Sequence, residues 1–222
     1  MTIDRSLPLR ERKKLRTRRA LADAAQRLFT EQGFDVTTLE ELAEEAEVSK
    51  STFSRTFAAK EAAGIEAVAE LWTAFLATLD ARVLSGPVLG ELHQALAAAV
   101  AGLDETWDAR FVATRRLTAA EPALLRYVEH YRAGVKEQLV VSLAAKLALD
   151  PEDLRLHVLA ELVMTAFSIS GRAWVRRGAE GGRESLLDGM AGAIRAVPAS
   201  LDLAADAPPG PCRKANGPGA AG

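Results

Sequence analysis

Residues 49–57 of this chain, SKSTFSRTF, set two phenylalanines four positions apart among hydroxyls and two cations. On a helix Phe53 and Phe57 share one face, and Lys50, Ser51, Thr52 and Arg55 are turned elsewhere. Such a face donates hydrogen bonds and positive charge. Its chemistry is recognition rather than bond-making. Catalytic patterns are missing by contrast: there is no GxSxG, no glycine-rich phosphate loop and no HExxH. His93, His130 and His157 lie far apart in sequence, and the one cysteine, Cys212, lies near the end of the chain. No catalytic residue, cofactor or metal is expected.

Charge shows what the polar face could meet. Residues 1–30 hold nine Lys or Arg against three acids, a balance of +6; residues 31–60 hold three against seven, and the whole chain sums to −2. The basic excess is thus confined to one end, chiefly Arg10, Arg12, Lys13, Lys14, Arg16, Arg18 and Arg19. A block of this kind is an electrostatic footprint for nucleic acid. A solvated helix start with no partner reads the same way, and the apolar residues around the block are too sparse for a membrane anchor.

The elements that would position these residues follow from periodicity. A helix is expected over 9–32, with Leu21, Ala24, Ala25, Leu28 and Phe29 on one stripe and Gly33 stopping it. A short helix follows from Thr38, whose spacing to Glu41 is that of a capping box. Leu39, Leu42, Ala43 and Ala46 give it an apolar side, while Glu40, Glu41, Glu44, Glu45 and Glu47 would repel a phosphate backbone; it braces rather than reads. Ser49 is a natural N-cap for the third helix. Helix, a turn of Glu47, Val48 and Ser49, and helix again is the layout of a helix-turn-helix. Val48 plugs the turn, and Phe53 and Phe57 seat the third helix on Leu28, Phe29, Leu42 and Ala46.

From Thr17 to about Trp72 the chain resembles the DNA-binding domain of the TetR family of transcriptional regulators. The resemblance rests on RTRRALADAAQRLFTEQGF, TTLEELAEEAEVSKSTFSRTF and KEAA, in the family's order and near its spacing. It departs from the family in three places. Glu47 stands where glycine is frequent, which costs on the order of 1 kcal/mol if φ must be positive. Ser54 and Thr56 replace rings that commonly meet phosphates. Ala59 stands at the start of the next helix, where a capping Ser, Asn or Asp is usual, a loss of about 1 kcal/mol.

The resemblance implies an all-α chain with a basic N-terminal arm (1–14), a three-helix DNA-binding domain (15–75, motif 38–57), a helical ligand-binding and dimerisation domain (76–199) and a disordered tail (200–222). Phosphate contacts fix register and base contacts carry sequence information. Thr38, Ser49, Thr52, Thr56 and Lys60 are expected to position. Lys50, Ser51 and Arg55 are expected to enter the major groove, where a cation can donate to guanine O6 and N7. Arg16 and Arg18 would continue along the backbone or into a minor groove. A two-turn reading helix spans few base pairs, so a homodimer on a palindromic operator is expected.

Beyond Gly64 one helix is expected to about Val83, linking the domains as a lever, then helices over 89–104, 107–118, 121–148, 151–177 and 184–197. Pro122 and Pro151 both suit a first helical turn. Family resemblance assigns the dimer to the last two helices, with Ala160, Ala166, Ser170 and Gly171 permitting close approach. The middle helices would enclose an effector pocket lined by Trp107, Phe111, Arg115, Tyr127, Tyr131, Phe167 and Trp174, with Arg116, His130 and Arg172 as further polar groups. Two segments, TRRLTAAEPALLRYVEHY and LALDPEDLRLHVLAELVMTAF, resemble the C-terminal domain of a subgroup that binds acyl-CoA-like ligands, so the effector is expected to be acyl-CoA-like or otherwise apolar or amphipathic. The expected function is a cytoplasmic, ligand-responsive repressor. The alternative is a helical small-molecule-binding or adaptor protein with a degenerate helix-turn-helix, favoured by the acidic second helix and opposed by the basic run. No stretch of about 18 uninterrupted apolar residues occurs.

Overall fold

The computed structural model describes residues 8–204, which form ten α-helices and, among the described residues, no strand. The helices are α1 (Leu9–Glu31), α2 (Leu39–Glu45), α3 (Lys50–Thr56), α4 (Lys60–Gly64), α5 (Glu66–Asp80), α6 (Val88–Gly102), α7 (Trp107–Ala120), α8 (Pro122–Leu147), α9 (Leu154–Arg176) and α10 (Gly182–Leu201). The basic segment expected as an arm is, from residue 9, the first turns of α1, and the segment expected as a tail is still helical at 200 and 201. Cys212 and most of that tail lie outside the described residues.

Two apolar cores organise the chain. The smaller one joins Leu21, Ala25 and Phe29 of α1 to Phe34, Leu42, Phe53, Phe57 and Ile65, and is closed by Leu117, Leu124 and Val128 from α7 and α8. The larger one unites α5 to α10 around Trp72, Phe75, Trp107, Phe111, Phe167 and Trp174. The seam falls at Ile65. Residues 66–75, expected with the N-terminal domain, therefore pack with the C-terminal one, and the linking helix expected beyond Gly64 to about Val83 runs from Glu66 to Asp80, separated from α4 by a break. Ile65 ends α4 and precedes α5 with φ −106° and ψ 13°, outside helical geometry. Gly64 explains the tight fit beside the break, because a Cβ there would sit 2.8 Å from the Phe29 ring and 3.1 Å from Leu124.

Local chemistry sets the ends of the short helices. Thr38 and Glu41 form the capping box, Thr38 accepting from the Glu41 amide at 3.2 Å and Glu41 accepting from the Thr38 amide at 2.7 Å. Glu47 has φ 54°, the left-handed conformation expected of the turn position, and no side-chain cap bond forms at Ala59. Glu47→Gly is expected to raise stability by about 1 kcal/mol, the strain relieved less the entropy glycine adds to the unfolded chain. Thermal unfolding would show this as a rise of roughly 2–4 °C; an unchanged or lower midpoint would refute the strain argument.

Pro122 occupies the first turn of α8, but Pro151 does not start α9. Asp153 does, its carboxylate accepting from the Arg155 amide at 2.9 Å. The small residues Ala160, Ala166, Ser170 and Gly171, expected at a dimer interface, are buried within the chain. Ser170 lies against Gly189 of α10, where a Cβ would come within 3.4 Å, and Gly171 lies against Phe111 and Phe167. Periodicity revealed that α9 is apolar on more than one face, but not which face turns inward. Its outward stripe is Leu154, Val158, Thr165 and Ile169, with Leu154 78 %, Val158 56 % and Ile169 50 % exposed.

Candidate functional site

The face of α3 is built from its anchors outward. Phe53 and Phe57 are buried, their ring centroids 5.9 Å apart, and lock the helix into the smaller core. Lys50, Ser51, Ser54 and Arg55 consequently stand exposed on one side. Ser49 caps the helix, accepting from the Thr52 amide at 3.2 Å, with the hydroxyls of Ser51 and Thr52 each 2.9 Å from its Oγ. The Thr56 hydroxyl donates to the Thr52 carbonyl at 2.7 Å. Among the described residues Arg55 reaches only the Ser51 hydroxyl, at 3.4 Å, and is available to a ligand. Lys50 is paired with Glu40 of α2, and this hydrogen bond, first among the causes, holds the Glu40 carboxyl below its ordinary pKa. Arg10, Lys13, Lys14 and Arg16 are exposed along the start of α1.

Two residues expected at phosphates are committed elsewhere. The Lys60 ammonium donates to the carbonyls of Phe34, Thr37 and Asp35 at 2.6, 3.0 and 3.4 Å, and lies 4.2 Å from the Phe34 ring centroid. All three of its protons are thus engaged in closing the α1–α2 loop, whose carbonyls no helix satisfies. Arg18 grips Glu66 of α5 through two nitrogens, one at 2.6 Å, donates to the Thr56 carbonyl at 2.9 Å and stacks 4.3 Å over Phe57. It ties the carboxyl end of α3 to the start of α5. Burial is the largest influence on Glu66 and raises its pKa despite Arg18.

A second set of ion pairs was not anticipated from sequence. Arg19 donates to Asp104 at 2.7 Å and to Glu70 at 3.1 Å, and Arg110 of α7 donates to the same two carboxylates at 2.8 and 2.7 Å. Gln26 adds bonds to the Arg110 carbonyl at 2.8 Å and to the Thr114 hydroxyl at 2.9 Å. The latch therefore joins α1, α5 and α7. Burial opposes the charge on Asp104, yet hydrogen bonds from Arg19 and Thr106 and the charge of Arg110 outweigh it and hold that carboxyl far below the aspartate range. The folded pKa is depressed, so this stabilisation is present above the unfolded aspartate pKa of about 3.9 and is lost as pH falls below it. Asp104→Asn is expected to be less stable at pH 7 and to show a shallower acid-side decline than the parent chain. Parallel melting curves between pH 3 and pH 7 would check this, and identical slopes would rule it out.

The seven residues expected around an effector do not form one pocket. Trp107 and Trp174 are fully buried packing residues; Trp107 stacks 4.7 Å from Phe111 and donates to the Ala67 carbonyl at 2.8 Å. Tyr127 and Tyr131 line an open cavity of about 490 Å³ with Thr73, His130 and Gln138. Phe111, Arg115 and Phe167 belong to a separate, narrow cleft of about 20 Å³ with Trp72, Arg132 and Arg172. The aromatics pack on one another because apolar rings gain more from mutual burial than from lining an open void. Among the described residues no group of three or more His, Cys, Asp or Glu is placed to hold a metal ion.

Residues 21–62 match the family model described as bacterial regulatory proteins, tetR family. Over 178 residues the chain is 30% identical to the HTH-type transcriptional regulator TcmR of Streptomyces glaucescens, covering 76% of this chain and 77% of that protein. Among solved structures, a transcriptional regulator from Rhodococcus sp. Rha1 aligns with TM-score 0.48 at 19% identity, over 82% of this chain and 96% of the other. A putative TetR-family regulator from Mesorhizobium loti aligns with TM-score 0.49 at 19% identity, over 85% and 98%.

Proposed function

The chain belongs to the TetR family of bacterial regulatory proteins, and from that premise we propose that it is a repressor which a small molecule releases from a palindromic operator. As a member of that family it is a DNA-binding, ligand-responsive transcriptional regulator. The observation that carries the detailed reading is the outward face of α3: Lys50, Ser51 and Arg55 exposed over buried Phe53 and Phe57. These three reach base edges, and Thr38, Ser49, Thr52 and Arg16 hold the backbone. Thr56 contributes through the end of the helix. Arg18 and Lys60 act indirectly, by fixing α3 and the loop before α2.

TetR-family regulators dimerise. For this chain the outward stripe of α9 and the outer side of α10 form the interface: Leu154, Val158 and Ile169 leave an apolar surface that a monomer would have to hydrate. The effector acts on the α5–α10 domain. A ligand that favours one spacing of the two reading helices weakens DNA binding by the factor by which DNA weakens its own. The latch through Arg19, Glu70, Asp104 and Arg110, together with the Arg18–Glu66 pair, carries the motion, since both tie α1 to helices of the larger core.

Fluorescence anisotropy of the purified protein on its own upstream DNA and on a scrambled duplex, at two salt concentrations, tests the reading. Binding that falls steeply with salt yet keeps a large preference for one duplex is the expected result. Equal, weak binding to both, and to sequences selected from a random pool, would instead favour an adaptor with a degenerate helix-turn-helix.

A further inference from the structure

Three guanidinium groups, Arg115 of α7, Arg132 of α8 and Arg172 of α9, converge on the narrow cleft whose floor is Trp72, Phe111 and Phe167. The rings are buried and packed edge-on, Trp72 to Phe167 at 5.2 Å and Phe111 to Phe167 at 5.8 Å. Among the described residues one carboxylate answers the three cations: Glu129, itself 60% exposed at its side chain, accepts from Arg132 at 3.1 Å. Arg132 also donates to the Ser168 hydroxyl at 2.7 Å, which fixes its fork at the mouth of the cleft. Among the described residues the guanidinium groups of Arg115 and Arg172 form no hydrogen bond and no ion pair.

Like charges brought together beside apolar walls repel one another more strongly than in water, and nothing in the fold requires the grouping. Burial, and then the charges of Arg132 and Arg172, lower the proton affinity of Arg115, the direction expected of a cation lacking its counter-ion. The void of about 20 Å³ has room for one water-sized group. That is the size of a carboxylate oxygen, not of a whole effector. Planar guanidinium forks match a carboxylate in two-point contacts, and a ring attached to it would lie at the mouth of the cleft, where the Arg132 guanidinium can stack on its face.

We propose that this cleft is the recognition point for the acid group of an aromatic carboxylate, which enters carboxylate first between α7, α8 and α9. The inference rests on the α5–α10 domain being the effector domain. It adds what the effector must carry: a negative charge joined directly to a flat ring. Arg115 shares α7 with Arg110, so a ligand that draws Arg115 toward α9 acts on the helix that holds the latch to α1.

Calorimetric titration of the full chain with 2-naphthoate, with the isosteric neutral 2-naphthamide and with acetate tests the proposal. The expected result is that naphthoate binds roughly tenfold or more tightly than either, the scale of a charge-assisted hydrogen bond inside a partly buried site. Arg115→Gln and Arg172→Gln should each remove that advantage and leave naphthamide unchanged. Arg172 is exposed, so its replacement leaves folding intact even if Arg115→Gln does not fold. Naphthoate bound no better than naphthamide or acetate, or an advantage that survives Arg172→Gln and a folded Arg115→Gln, overturns the proposal. The anisotropy assay on the same preparations separates the two ideas. Selective, salt-sensitive DNA binding without a naphthoate preference removes only this inference, and loss of selective DNA binding removes the regulator reading beneath it.

Discussion

Arg55→Ala is expected to weaken operator binding by roughly ten- to a hundredfold, the loss that follows from removing one cation at a base edge. Arg55 is exposed and makes one long contact, 3.4 Å to Ser51, so its removal leaves the melting midpoint where it was. The accompanying signature is relaxed preference at one or two operator positions. Arg16→Ala should differ in kind. As a backbone contact it lowers affinity for all sequences alike and reduces the salt slope by about 0.9 per phosphate lost. Lys50 lies between these cases, because Glu40 already neutralises it in the free protein. Glu40→Gln releases that lysine and removes a charge that repels DNA, so its binding should strengthen several-fold. An Arg55→Ala protein with undiminished affinity and unchanged base preference would show that α3 does not read sequence.

Arg18→Ala is expected to cost about 3 kcal/mol of stability, because it strands a carboxylate inside the fold. The Glu66 side chain is 6% exposed and has Arg18 as its ion-pair partner. For a chain of this length the melting midpoint should fall by roughly 10 °C. The same change removes the bond to the Thr56 carbonyl and the stacking over Phe57, so the carboxyl end of α3 loses its tie to α5. Replacing both partners, Arg18→Leu with Glu66→Met, should recover most of the midpoint, since neither leaves an unpaired charge. It should not recover ligand release of DNA to the same extent, because the tie between α3 and α5 stays absent. A single variant that melts with the parent chain would show that the pair is solvated and structurally idle.

Much of the reading element was visible in the sequence because what makes it is local. Thr38 and Glu41, Ser49, and the Phe53–Phe57 pair act across three or four residues, and their spacing states their role. Glu47 is similar: a turn that needs positive φ keeps it whatever residue occupies it. The partners of Arg18 and Lys60 are not legible in the sequence because they lie 48 and 23 to 26 residues away. A basic residue on a helix near DNA-facing elements looks identical whether it faces solvent or a buried Glu66. The acidic residue at the start of α5, within an otherwise apolar run, was the available signal. The latch failed to show for the same reason, with Arg19 and Asp104 separated by 85 residues. The inward turn of Ala160, Ala166 and Ser170 could not be read either. A helix with two apolar sides has one periodicity, and only the packing of α6, α8 and α10 against it decides which side is covered.

The five carboxylates of the second helix and its turn, Glu40, Glu41, Glu44, Glu45 and Glu47, all stand exposed beside the reading helix. Glu40 is paired with Lys50 and Glu45 with Arg27, which leaves Glu41, Glu44 and Glu47 to push against a DNA backbone and should shorten each encounter on random DNA. Such a protein should scan its genome in brief touches and long excursions through solution rather than by extended gliding along the duplex. Its search is therefore governed more by the number of molecules in the cell than by the length of DNA flanking the operator, and few copies remain sequestered on irrelevant sequence when the operator falls vacant.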